Sequence, residues 1–374
     1  MKGFNKTTIG EILTFQRGFD ITKKEQTPGE IPIVSSSGVN SYHNKFKVNG
    51  PGVIIGRKGT LGTVHYIKDR FWPHDTTLWV KDFKGNNPRF IYYFLKTLHL
   101  EAFDTGASNP TLNRNHLHKI KVIFPELKIQ KKITAILSTY DDLIENNKRR
   151  IALLEKMVEE TYREWFVRFR FPGYKNAKFE KGLPEGWEIK NIKSIVARKK
   201  FGKIYREKEL NNEGKIIVID QSKDDYLGFY DGEPQHKASA ENPMILFGDH
   251  TCKMVLIMRD FALAENVIPL LPKDEMPVLF LFYLIKDKAK TTEYKRHWTE
   301  LTTQKVLIPN NCLQIEYSEK VAPFYQQIDI LKNVISNLYK TVDNLLPRFI
   351  SGKLSVEELD IQFPPSMLEE ETAA

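Results

Sequence analysis

The chain has 374 residues, 41% hydrophobic and 28% charged, an ordinary balance for a soluble protein with room for two or three cores. Its two cysteines, Cys252 and Cys312, form no spacing motif, so neither a disulfide framework nor a zinc site is implied. Its longest apolar run, residues 276–285, is too short to span a bilayer, and the start lacks the apolar run of a signal peptide. A cytoplasmic protein is expected, and its net charge of +9 favours a polyanionic partner such as nucleic acid.

In chain order, the first 125 residues alternate short apolar runs with turns. Residues 31–34 read as a strand stopped by Ser35-Ser36-Ser37-Gly38. Residues 52–56 and 63–67 read as two strands around a basic, glycine-rich turn, Arg57-Lys58-Gly59-Thr60-Leu61-Gly62. A further strand is predicted at 76–80, a helix at 88–100, a loop at 106–111 and a last strand at 121–125.

A long seam follows. Ile133, Leu137, Tyr140, Ile144, Asn147, Ile151, Leu154, Val158, Thr161 and Trp165 step by threes and fours, with charged residues between them. The spacing predicts a helix of some forty residues, roughly 60 Å long, which needs a partner to be stable. Asn147 either sets register within the seam or lies at its edge. Residues 171–174 break the pattern, and Leu183-Pro184-Glu185-Gly186-Trp187 opens a new segment.

That segment repeats the order of the first. Trp187, Ile192 and Ile195 sit where Phe4, Ile9 and Ile12 sat; residues 244–249 echo 53–57, 279–285 echo 90–95, and 305–309 echo 121–125. A second stripe then runs through Val321, Phe324, Ile328, Leu331, Ile335, Leu338, Val342, Leu345 and Phe349. Pro347 predicts a kinked or separate last turn. The helix-pairing positions are Ile144, Ile151, Leu154 and Val158 on the first helix, and Leu331, Ile335, Leu338 and Val342 on the second. The chain reads as a tandem duplication of a globular domain followed by a long helix.

Motifs of catalysis are missing. The Asn/Asp-Pro-Pro-aromatic loop of a DNA methyltransferase has only incomplete counterparts at Asn87-Pro88-Arg89 and Asn109-Pro110-Thr111. The Gly-Lys pairs are followed by Ile204, Ile216 and Leu354, so no phosphate-binding P-loop is present. His116-Leu117-His118 and His250-Thr251-Cys252 lack a second ligand pair nearby and read as surface or packing residues; no metal is expected.

Basic and hydroxyl residues are the remaining candidates. Arg57, Lys58 and Thr60 offer cations, a hydroxyl and backbone N–H groups suited to phosphate, unless the turn is simply a charged hairpin. Ser35, Ser36 and Ser37 either reach bases or phosphates or form an ordinary loop. In the second half, Lys199, Lys200 and Lys203, and Arg296 beside Trp298, are basic clusters with aromatics close by.

Taken together, Thr8-Ile9-Gly10-Glu11-Ile12, residues 52–59, the long helix ending in Trp165-Phe166, Leu183-Pro184-Glu185-Gly186-Trp187 and the closing run 346–354 resemble the specificity subunit of type I restriction-modification systems, over residues 1 to about 356. The resemblance implies an α+β protein with two mixed α/β target-recognition domains separated by two long antiparallel helices. It places the first domain at 1–125, the central helix at 126–171, the second domain at 172–314 and the C-terminal helix at 315–356; an acidic tail without fixed structure is expected at 357–374. It further implies a non-catalytic chain without a cofactor of its own. Such a chain binds the two halves of a split double-stranded DNA target and docks methyltransferase subunits, two of them, on its helices. Restriction subunits would complete the complex. One departure is visible: the second half has Gly248-Asp249-His250-Thr251-Cys252 where the first has its Arg-Lys-Gly turn, so the two turns need not act alike. The competing reading is a coiled-coil scaffold with two lobes that does not read DNA.

Overall fold

The structure, a computed structural model, describes residues 3–103, 111–222, 226–291, 293, 295–364 and 367. The loop expected at 106–111 lies, up to residue 110, outside them. The chain is α+β and divides into two units, residues 1–146 with 335–374, and residues 147–334.

The first unit begins with β1 (Phe4–Thr8), α1 (Ile9–Ile12), β2 (Thr14–Arg17), β3 (Ile31–Ser35) and β4 (Gly38–His43). There follow β5 (Gly52–Gly56), β6 (Val64–Ile67), β7 (Trp72–Pro73) and β8 (Thr77–Asp82). Then come α2 (Pro88–Lys96), α3 (Arg114–His118), β9 (Lys121–Pro125) and the long α4 (Leu127–Tyr162). The strands form an antiparallel sheet β2-β8-β5-β6, a smaller sheet β4-β3-β7 with β3 and β7 parallel, and a ribbon β1-β9. β5 is buried along its whole length because a core lies on each face of it. Val53 and Ile55 join α2 in one core, and Ile54 packs with Val34 and Phe71 in the other. The local signals for α2 are visible in the chain: Asn87 accepts the Phe90 N–H at 2.8 Å and Pro88 occupies the first turn.

In the second unit a hairpin, β10 (Phe179–Glu180) with β11 (Leu183–Pro184), precedes β12 (Glu188–Asn191), α5 (Ile192–Ile195) and β13 (Val196–Arg198). Next are β14 (Ile216–Ile219), β15 (Gly228–Tyr230), β16 (Met244–Gly248), β17 (Met254–Ile257), β18 (Phe261–Leu263) and β19 (Val267–Pro272). α6 (Val278–Ile285), α7 (Trp298–Thr303), β20 (Lys305–Ile308) and α8 (Asn311–Ile350) complete the set. The sheet orders β13-β19-β16-β17, β15-β14-β18 and β12-β20 reproduce those of the first unit strand for strand, including one parallel pair, β14 with β18. The internal repeat is therefore present as topology. β16 also repeats the physics of β5, with Ile245 and Phe247 on one core and Met244 and Leu246 on another.

Each unit contains part of both long helices, packed together. In the first, Ile133 and Leu137 of α4 share a core with Val342, Leu346, Phe349 and Ile350 of α8. In the second, Val158 shares a core with Tyr317, Val321, Tyr325 and Ile328, and Ile151 and Leu154 pack against it. The early part of α4 thus goes with the late part of α8, and the late part with the early, which is antiparallel pairing. Full burial of such side chains stabilises by roughly 1.5–3 kcal/mol each. Of the positions named for pairing, Ile144, Val158, Leu331 and Val342 are buried; Ile151, Leu154, Ile335 and Leu338 are half-buried. Asn147 is buried as well, so it does not lie at an exposed edge of the seam.

Two expectations are corrected. α8 continues as one helix through Pro347, and through Pro323, so the last turn is not a separate one. Pro347 is exposed, so the carbonyl it frees can reach water, while Leu346, Phe349 and Ile350 around it are anchored in the core. Their burial exceeds the roughly 3 kcal/mol that an interior proline costs. The chain up to the start of the tail, residues 356–361, is also docked further than the tail's acidity suggested. Val356 is buried, Ile361 packs on the first unit's core, and the Lys132 ammonium donates to the carbonyls of Glu357 and Leu359 at 2.7 and 2.6 Å. Among the described residues, no helix is long and apolar enough to cross a membrane.

Candidate nucleic-acid interface

The turn leaving β5 is held on two sides by backbone. Arg57 and Lys58 N–H both donate to the Thr76 carbonyl, at 2.8 and 3.0 Å, and the Arg57 carbonyl accepts from Leu112 N–H at 3.1 Å. Within the turn, Gly56 N–H donates to Thr63 O and Gly62 N–H to Gly56 O. A Cβ on Gly56 would lie 2.0 Å from the Thr60 carbonyl, so only glycine fits there. This clasp fixes where Arg57, Lys58 and Thr60 emerge.

Lys58 and Thr60 are exposed and Arg57 is half-buried. The Arg57 Nη1 is buried with no hydrogen-bond acceptor among the described residues. Burial, with Arg17 close by, lowers the Arg57 pKa, and Asp75 acts in the opposite direction. Arg17 itself pairs with Asp75 at 2.8 Å. Arg17 lies far from Arg57 in sequence; the strand order β2-β8-β5 places their strands in one sheet, a proximity no local motif signals. Ser35, Ser36 and Ser37 separate in role. Ser37 is exposed, but Ser35 and Ser36 are buried. The Ser35 hydroxyl donates to Gly38 O, and the Ser36 carbonyl accepts from Thr63 Oγ1 at 2.5 Å. These two serines shape the floor beneath the turn.

The clasp continues into α3, which is tied to β2. His118 Nε2 accepts the Phe15 N–H at 2.9 Å, and its ring stacks on Phe15 with centroids 5.8 Å apart. Burial lowers the His118 pKa, with Lys84 and Arg114 adding to the effect. The neutral ring that the hydrogen bond requires is therefore favoured.

The second unit builds the same clasp with different side chains. Asp249 N–H donates to Asn266 O at 2.8 Å, and the Asp249 carbonyl accepts from His297 N–H at 2.7 Å. Gly248 N–H donates to Lys253 O, and Cys252 N–H to Gly248 O. The buried Asp249 carboxylate accepts the Trp298 N–H at 2.9 Å, at the start of α7. Arg296 is 77% exposed, with its Nε 3.9 Å from the other Asp249 oxygen.

Lys199 and Lys200 are exposed. The Lys203 ammonium is shared between Glu209, at 3.3 Å, and the face of Tyr205, at 4.5 Å. Arg198 stacks on Trp298 and Phe201, 5.1 and 5.5 Å from the ring centroids. Its run of basic neighbours was visible in the sequence, but not its aromatic seat, because Trp298 is a hundred residues away.

For a metal, the described residues offer Asp20, His74 and Asp75, whose ligand atoms lie within 4.8 Å of one another. Protein partners already engage two of them: His74 Nδ1 meets Thr76 Oγ1 at 3.1 Å, and Asp75 holds Arg17. The arrangement in both units is a set of cations, hydroxyls and backbone groups around a turn held by backbone hydrogen bonds.

Comparison with known proteins agrees with this architecture. The sequence profile of the type I restriction modification DNA specificity domain matches residues 1–156 and again 184–339. The chain is 26% identical over 308 residues to the MjaIX specificity subunit of a type I restriction enzyme from Methanocaldococcus jannaschii, covering 72% of this chain and 70% of that one. It is 24% identical over 352 residues to a type I specificity subunit of Mycoplasma pneumoniae, covering 90% of this chain and 92% of that one. The crystal structure of a type I restriction-modification S subunit from M. genitalium shares the fold. The TM-score is 0.57 at 18% identity, covering 93% of this chain and 96% of that one. With the profile matched once in each half of a duplicated α+β fold, the chain belongs to the type I restriction-modification DNA specificity family, whose members are the non-catalytic specificity subunits of these systems.

Proposed function

We propose that this chain reads a bipartite DNA target, one half-site per domain, across an unread spacer set by α4 and α8. The observation that carries the reading is the duplicated clasp: each domain holds a rigid turn over the same backbone bonds, with exposed cations around it. Phosphate contacts from Lys58, Lys199, Lys200 and their neighbours supply salt-dependent affinity, and a few side chains at base edges supply sequence. Arg57, Lys58, Thr60 and Ser37 serve the first half-site; Lys199, Lys200, Lys203 and Arg296 serve the second. Ser35 and Ser36 act through the shape of the turn.

The helices dock methyltransferase subunits, two per chain, which supply the methyl-transfer chemistry and extrude the target base; restriction subunits join in the full complex. In support, the second unit leaves Leu153 and Met157 of α4, and Ile330 and Val334 of α8, 39–61% exposed at i,i+4 spacing. Paired apolar residues on a helix face are the usual substrate for helix or subunit packing.

The test is binding by the purified chain with its methyltransferase subunits to a duplex library. Enrichment of two short sequences at one fixed separation supports the reading. Salt-sensitive binding without sequence enrichment would leave a two-lobed scaffold as the better account.

A further inference from the structure

We propose that Arg296 is the guanidinium that contacts DNA in the second domain, and that buried Asp249 is its positioning residue. The two domains then present a cation over one common clasp, from opposite sides of it. This inference rests on the DNA-reading function proposed above and names the residues that carry it in one half-site.

The equivalence is set by backbone, not by resemblance of side chains. Arg57 and Asp249 each follow the last glycine of the central strand. Each donates its N–H to the loop before the neighbouring strand, at Thr76 or Asn266, and each offers its carbonyl to the segment before a short helix, at Leu112 or His297. The residue immediately before that second donor is Thr111 in the first domain and Arg296 in the second. Across the clasp the pair Arg57 and Thr111 has thus become Asp249 and Arg296. The cation has crossed from the turn to the facing segment, and a carboxylate has taken its old place.

The surroundings give this exchange a direction. Asp249 is 7% exposed, and one oxygen is committed to the Trp298 N–H at 2.9 Å. Its other oxygen lies 3.9 Å from Arg296 Nε. At 3.9 Å the pair is too long for a hydrogen bond, and Arg296 remains 77% exposed. The pair leaves the outer edge of the guanidinium available, while the buried charge biases where that edge points. A bidentate acceptor, such as the O6/N7 edge of guanine or a phosphate, suits that edge. Arg198, seated on Trp298 at 5.1 Å, adds a second cation next to the residue that Asp249 caps. The acidic side chains of the same segment are otherwise engaged: Glu293 with Lys295 at 3.7 Å, and Glu300 with His297 at 2.9 Å.

The experiment uses the chain assembled with its methyltransferase subunits, and the probe is a duplex carrying the motif that the wild-type complex itself methylates. Arg296→Ala, at an exposed position, should weaken binding roughly tenfold or more and relax one half-site only, or lower the salt slope by about one if the contact is to phosphate. Asp249→Asn retains an oxygen to accept the Trp298 N–H while removing the charge. It should weaken the same half-site by a smaller factor, and the double variant should be no worse than Arg296→Ala alone. An unchanged motif and an unchanged salt slope in Arg296→Ala would overturn the proposal. Additive losses in the double variant would remove Asp249 as the positioning residue. A wild-type complex that methylates no two-part motif would instead overturn the function on which the inference rests.

Discussion

Replacing His118 by Ala tests how the first clasp is anchored. His118 Nε2 is the acceptor for the Phe15 N–H, and Phe15 is 1% exposed. Without the ring, that part-buried amide loses its acceptor, which costs about 1–3 kcal/mol, and the stacked contact with Phe15 is lost as well. A loss of about 2–4 kcal/mol in the first unit is expected. The pH dependence follows from the lowered pKa. A histidine whose folded pKa lies below its ordinary 6.5 contributes stability that is fully present above pH 6.5. That contribution is lost as pH falls through the depressed folded value. Wild type should therefore weaken on acidification below pH 6.5, and His118→Ala should lack that part of the slope. The assay is urea unfolding of both proteins at pH 7.5 and pH 5, following the first unit's transition, since two units need not unfold together. Equal midpoints at pH 7.5, or an equal pH slope in the variant, would refute the role given to this hydrogen bond.

Other expectations follow from the same structure. Leu154→Asp places a carboxylate against the core around Val158 and Tyr317; because Leu154 is only half-buried, a loss of about 2–4 kcal/mol is expected, and wild-type melting would contradict pairing through this seam. Arg57→Ala with Lys58→Ala should reduce the salt slope of DNA binding by about one to two; an unchanged slope with altered sequence preference would make them base readers. Four helix-forming residues inserted after Arg150 add about 6 Å and about 400° of rotation. The methylated spacer should then lengthen by one or two base pairs with both half-sites kept, and methylation at the old spacer would show that the helices do not set the distance.

Much of the fold was legible because its signals are local and periodic. The seams of α4 and α8 recur every three or four residues, and the central strands β5 and β16 are apolar runs that end in glycine. The clasps were not legible, because their bonds join residues far apart: Arg57 meets Thr76 and Leu112, and Asp249 meets His297. Sequence reading registered the loss of the basic turn at Asp249. It had no means of seeing that Arg296 stands across the same bonds. The burial of Ser35 and Ser36 was not legible for a related reason. A polar run reads as an exposed loop, yet here the hydroxyl of one and the carbonyl of the other are spent on Gly38 and Thr63 beneath the turn. Pro347 was read as kinking or separating the last turn because the local rule is strong; tertiary burial on either side keeps that turn joined to α8.

The most direct test of the central claim is a map of methylated bases in the genome of a host supplied with the methyltransferase, with and without this chain. The account predicts that methylation depends on the chain and falls on one motif made of two short sequences separated by a fixed, unread gap. Methylation that is unchanged without the chain, or that follows a single continuous motif, would contradict it.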